Sequence, residues 1–99
     1  TLAAAFKGSN HNISGNGYQK LPSGLIIQWG GGAASNAGAA LSWPIAFPNG
    51  IFSAVAMHNG GDPWGAGVIT ATSQNKTRAI FHNSGSVTPI SMRYIVIGY

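Results

Sequence analysis

Few side chains in this sequence could carry out acid–base chemistry. Asp62 is the only acidic residue among the 99, whereas a glycosidase of the usual kind needs two carboxylates, one as general acid and one as base or nucleophile. Ser53, His58 and Asp62 could be written as a catalytic triad, but no Gly-x-Ser-x-Gly motif frames a serine, and triads drawn from composition alone are nearly always accidental. We therefore expect that the protein is not an enzyme.

Metal ligands are equally scarce. The three histidines, His11, His58 and His82, lie far apart in the sequence without a His-x-His or His-x-x-x-His pair, and there is no cysteine. Only repetition around a symmetry axis would bring copies of one ligand together. The sequence predicts no metal and no cofactor.

The best material for binding a ligand lies in residues 58–65, which read HNGGDPWG. Sugar sites pair an aromatic surface for the apolar C–H face of the ring with fixed polar groups for the hydroxyls. Trp64 supplies the aromatic surface, and His58, Asn59 and Asp62 supply polar groups close by in the sequence. We take these four as candidate glycan-binding residues. The alternative is that Trp64 folds back and plugs one end of the fold.

A second candidate patch combines Lys76, Arg78, His82 and Asn83. In a strand, Arg78, Ile80 and His82 share one face, and Lys76 begins it. An exposed face of this kind would hydrogen-bond sugar hydroxyls or phosphate groups. A solvated outer face without a ligand explains the pattern equally well, so both interpretations stay open.

The composition points to burial against other copies of the chain. Hydrophobic residues make up 44% and charged residues 6%, against a usual charged share of about 25%. So few charges would leave a single soluble chain without the mixed charged surface that prevents association. Residues 94–97, YIVI, offer no polar face at all. They predict burial against sister chains, and a central strand covered by loops is the alternative.

The net charge of +4 reflects a shortage of acids rather than a basic patch. The basic residues are scattered along the chain, with no run that would follow a phosphate backbone. We therefore expect no nucleic-acid partner. No apolar run approaches the roughly 20 residues of a membrane-spanning helix, so we expect no membrane insertion.

Period-two alternation of apolar and polar residues dominates the sequence and predicts about six short strands. They fall at residues 25–29, 41–47, 51–58, 68–72, 77–82 and 92–97. Turn chemistry separates them, for example at Asn49-Gly50. The predicted fold is all-β, an antiparallel β-sandwich. Trp29 and Trp43 lie in strand patterns and are expected in the core or in an interface.

Two segments lack this alternation. Residues 1–23 are polar and glycine-rich, and we predict that they form an extended N-terminal arm or the join to an upstream shaft, with the sandwich at 24–99. Residues 30–40 begin with three glycines and contain only small side chains. They are predicted to form a flexible loop, or a close-packed one near a symmetry axis.

Two ordered runs of aromatic, proline and glycine positions carry a family resemblance. Residues 17–30 read GYQKLPSGLIIQWG, and residues 41–50 read LSWPIAFPNG. The first resembles the GYQKLPxGLIIQWG signature of the C-terminal tip domain of phage and prophage tail fibres. The second is similar to the FPIAFP block of that family, with Trp43 in place of the first Phe. The resemblance runs from about Gly17 to Tyr99.

This resemblance implies a host-binding module at the distal tip of a homotrimeric virion fibre. Such a module binds bacterial surface polysaccharide or lipopolysaccharide, and the family often needs an assembly chaperone. Residues 42–98 are also similar, more loosely, to the H-type lectin fold, a six-stranded antiparallel sandwich that trimerises. No sugar-contacting residue carries over from that fold. Two alternatives stay open: a structural cap that registers three fibre chains without touching the receptor, and a secreted lectin of non-viral origin.

Overall fold

The computed structural model describes residues 1–59, 69–72, 74–84 and 90–99. Within these residues the chain forms eight strands after two short 3₁₀ turns at Ala4–Phe6 and Gly8–Asn10, and no α-helix. The strands are β1 (His11–Asn12), β2 (Gly17–Lys20), β3 (Ile26–Ala34), β4 (Ala39–Ser42), β5 (Ile51–His58), β6 (Ile69–Thr72), β7 (Arg78–Asn83) and β8 (Ile90–Gly98). The prediction of an all-β chain is confirmed.

The strands form two sheets. One has five strands in the order β1-β2-β3-β8-β5, and the other has three in the order β4-β7-β6. All pairs of neighbouring strands are antiparallel, as predicted. β1 and β2 are additional to the predicted strands and lie within the segment 1–23. Part of that segment therefore pairs with the sheet through β2, while its role as the join to a shaft stays a prediction.

The core lies between the two sheets, and β8 shows most clearly how the sequence builds it. Ile90, Met92, Tyr94 and Val96 are buried, whereas the residues between them are more exposed. This is the alternation that the sequence predicts for the last strand. Because side chains in a strand alternate between faces, β8 contributes every second side chain to the core.

Aromatic rings fill the centre of the core. The Trp43 ring centroid lies 5.4 Å from that of Tyr94, 6.2 Å from Phe81 and 6.4 Å from Phe47. The expectation that Trp43 is a core residue is therefore confirmed. Burial raises the pKa of the Tyr94 phenol, and the positive charge of Arg93 opposes this shift.

Gln28 is a fully buried polar side chain in the middle of β3. Its amide nitrogen donates to the Ile45 carbonyl at 2.9 Å, and its amide oxygen accepts from the Ile45 N–H at 3.0 Å. The strand predicted at 41–47 ends at Ser42, because Pro44 lacks an N–H and cannot continue the ladder. Gln28 thus satisfies the backbone of Ile45 and ties the segment after β4 to the five-stranded sheet.

Replacing Gln28 with methionine is expected to destabilise the protein by about 1–3 kcal/mol, because the Ile45 N–H and C=O lose their partner. Urea unfolding measures this loss. Gln74→Met is the control, since Gln74 is exposed and bonds the Ala71 carbonyl at the surface. Its effect should stay within about 0.5 kcal/mol. Equal effects of the two substitutions would contradict the structural role of Gln28.

The glycines at 30–32 lie in β3, so the prediction of a loop at 30–40 is wrong over much of its length. A Cβ at Gly30 would lie 2.6 Å from the Tyr94 hydroxyl oxygen. Only glycine lets a large side chain from β8 occupy this space without displacement. A run of small residues is therefore compatible with a central strand when its neighbour supplies the bulk.

Candidate functional site

Three strands of the larger sheet have termini at one end of the sandwich, here called the His58 end. His58 closes β5 opposite Met92, and the Asn59 N–H donates to the Ser91 carbonyl at 3.0 Å. β3 also ends here, because its last residue pairs with the first residue of β8. Two of the candidate glycan-binding residues, His58 and Asn59, therefore lie at this end.

β7 brings two more candidates to the His58 end. The Asn83 N–H donates at 3.0 Å to the carbonyl of Ser35, the residue directly after β3. His82 Nδ1 lies 3.4 Å from the Asn36 carbonyl oxygen, and the Asn36 amide donates to the Asn83 carbonyl. The Asn83 side chain is buried on the same face of β7 as Ala79 and Phe81, so it is not part of the exposed surface at this end, whereas Asn36 is exposed. Asn36 is a polar group that sequence reasoning missed, because it lies in the segment predicted to be a loop.

Of the four candidates in residues 58–65, the structure describes His58 and Asn59. The His58 ring is half-buried, and within the described part of the chain neither of its solvent-shielded nitrogens has a hydrogen-bond partner. Asn59 is exposed. Asp62 and Trp64 lie outside the residues that the structure describes. The sandwich thus fixes the start of this candidate site, at the end of β5.

Lys76 and Arg78 do not join the His58 end. Both are exposed, and Arg78 begins β7 with Lys76 two residues before it, whereas His82 lies near the end of that strand. Asn75 builds the turn before them, since its Oδ1 accepts from the N–H groups of Thr77 and Arg78 at 2.9 and 3.0 Å. The predicted alternation along β7 is confirmed, but the length of the strand splits the second candidate patch into two pairs.

The outward side of the five-stranded sheet carries a contiguous apolar area on β3, β5 and β8. Val55, Met57 and Ile95 expose 62%, 69% and 50% of their surface. In the sheet register Ile95 lies between Val55 and Trp29, which is half-buried. These four residues, here called the outer patch, line a shallow groove of about 380 Å³ with Arg93. A contiguous exposed apolar patch of this kind is typical of a site that contacts another molecule.

The segment before β2 fixes one margin of the outer patch. Trp29 Nε1 donates to the Ser14 carbonyl at 2.8 Å, and Arg93 Nη2 donates to the Gly15 carbonyl at the same distance. Both side chains are large and would otherwise sample several rotamers. The bonds hold them in one arrangement, so the margin of the patch is a formed surface.

The described ranges contain no group of three His, Cys, Asp or Glu side chains that would hold a metal ion. No helix in the same ranges has the length and apolar character to cross a membrane.

The all-β fold of two sheets agrees with the resemblance to tail fibre C-terminal domains carried by residues 17–30 and 41–50. Residues 20–99 match the gp53-like tail fiber protein C-terminal family. The chain belongs to this family. No curated protein matches it in sequence.

Solved structures of pyocin tail fibers share the fold. An N-truncated R2-type pyocin tail fiber has a TM-score of 0.81 and 20% identity, over 98% of this chain and 40% of that chain. The R2 pyocin fiber of P. aeruginosa has the same score and identity, with 27% of that chain covered. An N-truncated R1-type pyocin tail fiber has a TM-score of 0.74 and 23% identity, over 98% of this chain and 90% of that chain. The chain thus spans less than half the length of these R2-type fibers.

Proposed function

We propose that this domain is the receptor-binding tip of its fibre, and that it binds a bacterial surface glycan, lipopolysaccharide or a similar polysaccharide, without catalysis. The observation that carries the proposal is the convergence of polar groups from β5, β7 and the segment after β3 at the His58 end. Amide and imidazole groups hydrogen-bond sugar hydroxyls, and a rigid sandwich is a suitable scaffold for them.

Chain connectivity limits how far Asp62 and Trp64 can lie from the same end. Segment 60–68 begins after Asn59 and ends before Ile69, which pairs with Asn83. Trp64 is five positions from Asn59 and five from Ile69 in the sequence. Since an extended residue spans at most about 3.6 Å, five residues set an upper limit of about 18 Å on the distance of Trp64 from Asn59, and we propose that its indole lies at the His58 end. There it would stack on the apolar face of a sugar whose hydroxyls the neighbouring amides bind.

The outer patch supports assembly of this domain as a homotrimer. Packing against sister chains would remove the apolar side chains of β5 and β8 from water, at about 25 cal/mol per Å² of apolar surface buried. Oligomers of identical chains are normally closed and cyclic. We place the domain at the distal end of the fibre in the virion. An assembly chaperone, as the family often uses, fits the need to cover the patch before the copies meet.

The rival proposal is a structural cap, which would register three fibre chains without receptor contact. The outer patch favours it, because that surface explains assembly and requires no ligand at the His58 end. Binding to cells distinguishes the two proposals.

The isolated, fluorescently labelled domain is expected to coat susceptible bacteria and to compete with the intact particle that carries the fibre. Trp64→Ala should weaken this binding about tenfold, which corresponds to about 1.4 kcal/mol. Trp64→Phe is the matched control and should lose less, because it keeps an aromatic ring. A domain that assembles but never binds cells would establish the cap instead. Release of reducing ends from purified polysaccharide would refute the absence of catalysis.

A further inference from the structure

Two exposed aromatic rings stack on each other at the opposite end of the sandwich, here called the Tyr99 end. The Phe52 and Tyr99 ring planes are within 14° of parallel, and their centroids are 4.8 Å apart. Phe52 exposes 66% of its surface and Tyr99 43%. Neither ring belongs to the core cluster. The pair is therefore a surface feature that the packing of the sandwich does not require.

A β-bulge places Phe52 in this position. Ile51 pairs with Gly98 and Ser53 pairs with Ile97, so Phe52 is an extra residue of β5 opposite β8. Such a bulge interrupts the ladder and re-aims the side chain at the inserted residue. The alternation predicted for β5 fails at this residue for the same reason.

Backbone hydrogen bonds hold Tyr99 in place. The Asn49 and Gly50 N–H groups donate to the Tyr99 carbonyl at 2.8 and 3.0 Å, and the Tyr99 N–H donates to the Gly50 carbonyl at 2.9 Å. This close approach depends on Gly98, where a Cβ would collide with the Gly50 carbonyl and the Phe47 ring. With its backbone fixed and its ring stacked on Phe52, Tyr99 loses little conformational entropy when a ligand binds.

Polar groups surround the ring pair. Phe52, Tyr99, Asn49 and the turn at Ser23 line a hollow of about 450 Å³. The Asn49 side chain is exposed and makes no hydrogen bond within the described residues, so its amide is available to a ligand. The Ser23 hydroxyl accepts the Leu25 N–H at 3.4 Å and keeps its own proton to donate.

A second hollow adjoins the first. It has a volume of about 340 Å³, shares Tyr99 and Asn49 with the first hollow, and includes Lys20 in its wall. Pockets of roughly 300 Å³ and more accept small ligands. Two adjoining hollows with a common aromatic wall suit consecutive rings of a sugar chain, and the Lys20 ammonium would donate to a hydroxyl or a phosphate oxygen.

We propose that Phe52 and Tyr99 form a second sugar-binding site, in which the ring pair stacks on the apolar face of a pyranose while Asn49 and Ser23 bind its hydroxyls. This inference rests on the proposed glycan-binding function and adds a site to it. At about 3.3 Å per residue, β8 separates the Tyr99 end from the His58 end by roughly 25 Å. A polysaccharide of several units would reach both ends, whereas a simple glycoside occupies one.

Titration of the isotopically labelled domain with methyl β-D-galactopyranoside tests the site by NMR, because one side of that ring presents a contiguous C–H face. The Phe52 and Tyr99 ring signals are expected to shift. Phe52→Ser should lower the affinity about fivefold to tenfold, the range expected for one lost aromatic contact. Phe52→Tyr keeps the stacked ring and should stay within about twofold of the wild type.

Unshifted ring signals, or equal affinities of Phe52→Ser and the wild type, would overturn the second site. A smaller assembled mass for Phe52→Ser in light scattering would also overturn it, because the rings would then belong to a contact between copies. Adsorption of the wild-type domain to cells reports separately on the proposed function. If adsorption occurs while the titration fails, only the second site is refuted.

Discussion

Trp43→Ala is expected to lower the free energy of unfolding by about 3–5 kcal/mol, the usual range for truncation of a buried tryptophan. The Trp43 side chain is only 5% exposed and packs against Phe47, Phe81 and Tyr94. Since a domain of this size has roughly 5–15 kcal/mol of stability in total, the substitution removes a large fraction of it. Urea unfolding at one fixed protein concentration measures the change.

Trp43→Phe is the matched control, and phenylalanine is the residue that the family block carries at this position. It keeps a ring in the core but removes the bond from Trp43 Nε1 to the Asn75 carbonyl, which measures 2.9 Å. The expected loss is about 1–2 kcal/mol. If the two substitutions cost the same, packing of the ring is not what stabilises the core.

Ile95→Lys is expected to reduce the proposed homotrimer to single chains of 10.1 kDa. Ile95 is at the centre of the outer patch, between Val55 and Trp29 in the register of the sheet. In an assembly that buries this patch, every copy would place a charge in a contact between chains, at a cost of several kcal/mol per ion. Light scattering measures the resulting mass.

The control for this substitution adds the same charge to the other sheet. Ala40 is exposed on β4, so Ala40→Lys should leave the assembled mass unchanged. Circular dichroism should show that both lysine variants keep their strands. An Ile95→Lys variant that assembles like the wild type would show that the outer patch is not the contact between copies.

Alternation is sufficient to predict a strand whose two sides face different surroundings. In β8, Met92 and Tyr94 face the core while Arg93 and Ile95 face outward, as the period of two requires. The same pattern does not say which side of β3 faces inward. The polar Gln28 is buried because the backbone of Ile45 satisfies its amide. Ile45 is 17 positions away in the sequence. A local pattern cannot contain that contact.

The reason for glycine at residues 30 and 31 of β3 lies on the neighbouring strand β8. Residues 30–32 have no side chains to show a period, and the space above Gly30 is filled by Tyr94 from β8. The mistaken loop prediction follows from this. The resemblance to tail fibre C-terminal domains, by contrast, depends on the identity of ordered residues, and the family match confirms it independently of periodicity.

The sequence could group residues of the candidate site only where they are neighbours along the chain, and it did not predict that His82 lies at the same end as His58. His58 and Asn59 adjoin the segment that holds Trp64, so one pattern indicates all three. Asn36 belongs to the His58 end because Ser35 and Asn36 contact β7, which lies more than 40 positions further along the sequence. The ring pair at the Tyr99 end depends on the bulge at Phe52 and on backbone hydrogen bonds between Tyr99 and residues 49–50. The local sequence predicts neither feature.

The central claim is that three copies of this chain bury the outer patch and leave the ends of each sandwich open to sugars. The mass of the wild-type domain in solution, measured by light scattering at micromolar concentration, tests it most directly. A particle near three times the chain mass of 10.1 kDa is expected. A stable, well-behaved species of 10.1 kDa would contradict the claim.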